Sequence, residues 1–136
     1  MKLEYLEDLS DAGKYPWADP QHLIRLYCFD RSEAQFLIDL INLHIITNQN
    51  AIDFSIIPFL KLLNCQLRFE LSGTDTGIQE TDNRMFVCKL RIETYKIMTG
   101  YIQALINEDG SVSGYNWLYD PGPDAIDLLM STGGSW

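Results

Sequence analysis

The stretch 23–29 is an apolar run broken only by Arg25, with Ile24, Leu26 and Cys28 on one side and Leu23, Tyr27 and Phe29 on the other. A segment apolar on both faces is the pattern of a central strand. Asp30 then offers an N-cap, and Glu33 three residues later completes the acidic form of a capping box. The helix opened there carries Ala34, Leu37, Ile38, Leu40, Ile41 and Ile45 in one wide stripe, with Gln35, Asp39 and Asn42 opposite. One apolar stripe and one polar face predict a helix lying on a sheet. The polar run 47–50 ends it.

Ile52, Phe54 and Ile56 alternate with Asp53 and Ser55, a half-buried strand that Pro58 stops or confines to an edge. Leu67, Phe69 and Leu71 alternate with Arg68 and Glu70, and Phe86, Cys88, Leu90 and Ile92 with Val87, Lys89 and Arg91. Between them, 73–84 reads as a polar loop of about a dozen residues, functional or merely mobile. Glu93 opens a second helix with Tyr95, Met98, Ile102, Leu105 and Ile106 on one face. Tyr115, Trp117 and Tyr119, then a turn at 120–124, then Ile126, Leu128 and Met130 predict two final strands.

The predicted order is strand, helix, three strands, helix, two strands. Short connections favour antiparallel pairing, so the expected fold is α+β: a two-layer sandwich in which two helices cover one mostly antiparallel sheet of five or six strands. Leu3, Leu6 and Leu9 at three-residue spacing, followed by Gly13, Pro16 and Pro20, suggest a helical or irregular arm over 1–21. A single domain is then expected over 22–136. At 136 residues the chain is long enough to bury a core without staples.

Charge narrows the function classes. Nineteen acids against ten bases give a formal net charge of −9, with the bases scattered along the chain. That sign repels phosphate backbones and anionic lipid surfaces, so no nucleic acid and no membrane partner is expected. No apolar run approaches the roughly 20 residues that cross a bilayer, and residues 1–10 lack the basic flank of a secretory signal. Cys28, Cys65 and Cys88 are odd in number and each sits in an apolar segment, which suggests buried thiols and a cytoplasmic setting.

Reactive side chains occur singly. Asp75-Thr76-Gly77 is the string that presents the catalytic acid in dimeric aspartic proteases, but Ser72-Gly73-Thr74 precede it where an apolar strand is required, and Ile78 follows. His22 and His44 have no partner at metal-ligand spacing, so neither a metal nor a cofactor is expected. Gly133-Gly134 follows the last strand rather than opening a helix, which does not suit phosphate binding. The aromatics of 115–119 are bordered by Asp120 and Asp124 rather than by bases, which favours core packing or a protein-binding surface over stacking on nucleobases.

The chain resembles a family of small uncharacterised bacterial proteins. The shared look is Leu3-Glu4-Tyr5-Leu6-Glu7-Asp8, Ile24-Arg25-Leu26-Tyr27 before Ser32-Glu33-Ala34, Cys88-Lys89-Leu90, Trp117-Leu118, and Leu128-Leu129-Met130-Ser131 with a closing Trp136. It departs where members carry Asp at the position of Cys28 and a Pro or small residue near Ile92. The resemblance implies no activity. The residues themselves lean away from an enzyme and toward an interaction domain, accessory or immunity-like, that binds another protein through an acidic surface. Candidate binding residues are Asp75, Glu80, Asp82, Trp117, Asp120 and Asp124. The alternatives are a small-molecule binder or enzyme with a pocket near the 73–84 loop, and a homodimer formed through an edge strand near Pro58.

Overall fold

A computed structural model describes residues 1–7, 22–122 and 124–133. Helix α1 (Arg31–Leu40) begins at the expected cap: the Asp30 carboxylate accepts the Glu33 N–H at 2.9 Å, and the Glu33 carboxylate accepts the Asp30 N–H at 3.1 Å. The other Glu33 oxygen accepts the Met1 ammonium at 2.9 Å, so one side chain both caps the helix and fastens the start of the chain to it. Beyond Leu40 the helix widens into a π-helical segment, Ile41–Thr47, and Ala34, Leu37, Ile38, Ile41 and Ile45 are buried along its length.

The architecture is α+β, with two helices and two mixed sheets among the described residues. The first sheet contains β1 (Lys2–Leu6), β2 (His22–Tyr27), β4 (Lys61–Leu62), β8 (Tyr115–Tyr119) and β9 (Ile126–Ser131), in the order β4-β1-β2-β9-β8. The second contains β3 (Ile52–Asp53), β5 (Gln66–Leu71), β6 (Gly77–Asp82) and β7 (Met85–Leu90), in the order β3-β5-β7-β6. β2 pairs with β9 in parallel from His22↔Ile126 to Tyr27↔Ser131, and β5 with β7 in parallel from Gln66↔Met85 to Leu71↔Leu90.

The expectation of one mostly antiparallel sheet is therefore corrected. Parallel ladders form at the centre of each sheet: β2 and β9 carry nearly continuous apolar runs buried on both faces, and β7, buried at Phe86, Val87, Cys88 and Leu90, is flanked by β5 and β6, with the alternating β5 on its parallel side. Three strands went unpredicted. Lys2–Leu6 is neither helical nor irregular: Leu3 is buried and Tyr5 packs against the core from the same face of an antiparallel pair with β2. Residues 8–21, where the rest of the expected arm falls, lie outside the described residues, as do Gly134 and Trp136. The 73–84 stretch contains β6, which pairs antiparallel with β7 through a turn at Asn83 and Arg84. β4 spans two residues, and Asn64 continues its ladder with a side chain, accepting the Tyr5 N–H and donating to the Tyr5 carbonyl, both at 2.8 Å.

The strand expected at 52–56 stops after Asp53. Its carboxylate accepts the Ser55 N–H at 3.0 Å and the Ser55 hydroxyl at 2.7 Å, a local bond that competes with strand pairing and turns Phe54–Ile56 into a 3-10 helix. Both sheets and both helices share one apolar core. Helix α2 (Ile92–Gln103) enters it through Tyr95, whose ring centroid lies 5.4 Å from that of Phe69, itself 4.7 Å from that of Phe54. The Tyr95 hydroxyl donates toward the Glu70 carbonyl at 2.8 Å and the Cys88 carbonyl at 2.9 Å, joining α2 to β5 and β7. Burial pushes its pKa far up, so the phenol stays a donor. No helix among the described residues is long and apolar enough to cross a membrane.

Tyr95→Phe keeps the ring and deletes the donor. It should lower the unfolding free energy by about 1–2 kcal/mol with an unchanged denaturant slope, read from urea melts. An unaltered midpoint would show that the hydroxyl does not hold α2 to the sheet.

Candidate functional site

The acids singled out in the sequence fall into two groups. Asp75 sits before β6, yet its carboxylate reaches the start of α2, accepting the Arg91 N–H at 2.8 Å, the Thr94 hydroxyl at 2.9 and 2.8 Å on its two oxygens, and the Arg91 guanidinium at 3.3 Å. Arg91 is the N-cap of α2 and has no side-chain cap of its own, so the loop supplies the acceptor. Burial alone would raise the Asp75 pKa, but the backbone bond from Arg91, then those from Thr94 and the Arg91 side chain, hold it below the usual carboxylate range. With donors on both oxygens, the Asp-Thr-Gly string works as a helix cap borrowed from another segment.

Gly77 explains part of that geometry. Its φ is +92°, and a Cβ there would meet the Tyr119 hydroxyl at 3.3 Å, so a bare backbone lets β6 start against the end of β8. Burial, and then the charge of Asp75, push the Tyr119 phenol up, and the approach of Gly77 to that phenol sets the start of β6 beside the end of β8 that leads into Asp120. Asp120 and Asp124 are exposed in the connection from β8 to β9, and Trp117 is half-buried in β8.

Glu80 and Asp82 lie at the far end of β6, about 17 Å from Gly77 to Asp82 at strand spacing. The structure thus does not gather the six candidates into one site. Glu80 accepts the Arg84 N–H at 2.8 Å, and Asp82 accepts the Asn83 N–H at 2.8 Å, shaping a turn in which Arg84 takes a left-handed φ of 58°. The Arg84 guanidinium binds Glu7 at 2.6 Å and lies 4.9 Å from the Tyr5 ring centroid, linking the hairpin to the end of β1. The hydrogen bond to Glu7, and the charges of Glu7 and Glu80, push the Arg84 pKa further up.

Beside this turn is a cleft of about 260 Å³ lined by Leu62, Leu63, Asn64, Cys65, Gln66, Asn83 and Arg84. Sequence reasoning missed it because most of its wall is the 62–66 stretch, which carries no charged residue; a free Asn64-Cys65-Gln66 between two strands was the available signal. Its thiol is not poised to react. Burial pushes Cys65 up to about 11 and Cys88 up to about 12, leaving both protonated at neutral pH. Cys28, expected to be buried, is instead exposed, because the chain leaves β2 at a left-handed φ of 55° there. His22 lies 3.3 Å through Nδ1 from the Tyr5 hydroxyl, and His44 lies in the π-helical turn. Among the described residues no three His, Cys, Asp or Glu side chains cluster in a way that could hold a metal.

Two measurements check this description. Asp75→Ala should cost about 1 kcal/mol at pH 7, the value of an N-cap. Because the folded pKa is depressed, the difference from wild type should persist above the unfolded value of about 4 and fade as pH falls through the folded one. In the native protein a disulfide reagent should modify Cys28 rapidly and spare Cys65 and Cys88 until urea is added; fast reaction of two or three thiols would contradict the burial. No protein-family model, curated protein or solved structure matches this chain.

Proposed function

We propose that this chain is a non-enzymatic interaction domain of the cytoplasm, accessory or immunity-like, that binds another protein through its acidic surface. The observation that carries this reading is how its charges are distributed. Arg25, Arg68, Arg84 and Arg91 are each held in an ion pair within the chain, by Glu4, Glu70, Glu7 and Asp75 respectively. Glu80, Asp82, Asp120 and Asp124 stand at exposed positions. With a net charge of −9 overall, the field offered to a partner is negative, which steers a basic protein and repels nucleic acid and anionic lipid. Exposed Phe36, Leu43, Ile97 and Tyr101 on the helices supply apolar contact of the kind that anchors protein interfaces.

A small-molecule binder is the second reading, favoured by the cleft at the β6–β7 turn, which takes in the last two residues of the 73–84 stretch. Its volume of about 260 Å³ falls short of the roughly 300–1,000 Å³ of ligand pockets, and this ranks it lower. A homodimer through an edge near Pro58 would have only the two residues of β3 or the two of β4 to pair with among the described residues.

Tagged chain recovered from its native cells at low salt should bring down a basic protein that elutes as ionic strength rises toward about 0.5 M. Recovery of no protein, with the purified chain monomeric at low salt, would overturn the reading. A metabolite that raises the melting temperature of wild type but not of Arg84→Ala would favour the cleft instead.

A further inference from the structure

Four strands end the two sheets among the described residues: β4, β8, β3 and β6. β3 and β4 have two residues each and cannot template a partner. β8 has α2 packed against it, fastened by Asn116 donating to the Tyr101 carbonyl at 3.1 Å. β6 has six residues, of which Gln79, Glu80, Thr81 and Asp82 are exposed. In an antiparallel ladder alternate residues direct their N–H and C=O away from the neighbouring strand, so the outer side of β6 carries backbone donors and acceptors that no other described strand pairs.

Glu80 and Asp82 give this edge two exposed carboxylates, and the Arg84 guanidinium beside them is already paired with Glu7. Glu80 and Asp82 each use one carboxylate oxygen to hold the turn. Glu7, 68% exposed, holds the Arg84 guanidinium at 2.6 Å, while Glu80 takes the Arg84 backbone N–H. The Gly77 end is closed off by Tyr119, which leaves 79–82 as the accessible length. Between Glu80 and Asp82 the register shifts, leaving Thr81 as an extra residue that bends the edge, and pairing with β7 resumes at Asp82.

We propose that the outer edge of β6 takes up an extended, basic segment of the partner protein as a fifth strand of the second sheet, with its lysines or arginines meeting Glu80 and Asp82. This rests on the protein-binding reading above and assigns it a surface. Backbone pairing supplies the attachment, and the carboxylates select a cationic strand over an anionic one or a second copy of this acidic chain.

The probe is a capped seven-residue peptide alternating Lys and Val, compared with its Glu-Val counterpart and titrated into the full chain with amide hydrogen exchange as readout. Protection is expected at 79–82 with the Lys peptide alone, and it should weaken with salt. Glu80→Gln with Asp82→Asn, an exposed pair of changes, should melt like wild type and bind about fivefold more weakly. Protection elsewhere, equal binding by the double variant, equal binding of the Glu peptide, or no protection at millimolar peptide would each overturn the assignment. If native cells still yield a basic partner that the double variant also captures, the protein-binding reading stands while the β6 edge falls.

Discussion

The parallel ladder between β2 and β9 joins residues about a hundred positions apart, and the rest of the chain is arranged around it. Leu23, Ile24 and Leu26 on one strand and Leu128, Leu129 and Met130 on the other are fully buried, so each strand is covered on both faces. A parallel pair cannot be closed by a tight turn, and everything between these strands must leave the sheet and return. That excursion contains both helices and the whole second sheet. Because the closing contacts are non-local, the chain must lose much of its entropy before they form, which places it among slowly folding topologies.

The second sheet repeats the device at shorter range. β5 and β7 run parallel, and β6, which lies between them in the chain, is pushed to the outside of the sheet. A helix must then be set on the pair, and two contacts do it. Tyr95 anchors the buried side of α2 on carbonyls of β5 and β7, while Asp75 holds its exposed start from the loop that leads into β6. The buried contact carries more of the stability, since a donor removed from the interior leaves acceptors that water cannot reach. The exposed one sets direction. It also ties the position of β6 to that of α2, because the loop cannot move without releasing the cap.

Legibility followed the strength of local signals. The capping box at Asp30, the stripes of both helices and the alternation at 66–71, 85–90 and 115–119 were readable because each is decided within about ten residues. The two sheets were not, because nothing local distinguishes a strand that pairs with its neighbour from one that waits for a partner at the other end of the chain. β1 was obscured by Leu3, Leu6 and Leu9, a helical spacing laid over the alternating Lys2-Leu3-Glu4-Tyr5 that the structure uses. β6 has a single buried apolar side chain, Ile78, and so gave almost no hydrophobic pattern. The grouping of the candidate acids was illegible for the same reason: their positions in the chain do not say that Asp75 turns to the start of α2 while Glu80 and Asp82 hold the far end of β6.

β6 shows why a strand with so weak a pattern is retained. Its pairing energy comes from β7, whose Phe86, Cys88 and Leu90 are fully buried, so β6 itself need contribute only backbone hydrogen bonds and Ile78. That frees its remaining side chains from the demands of the core. An apolar edge of this length would pair indiscriminately with any exposed strand, and charge is a common protection against that. Acids on an edge are not a complete block, however. Acids repel an anionic strand and lower the energy of a cationic one, so a charge pattern that guards an edge is also one that can discriminate among strands. The strand that the hydrophobic pattern hides is therefore the part of the sheet most free to serve recognition.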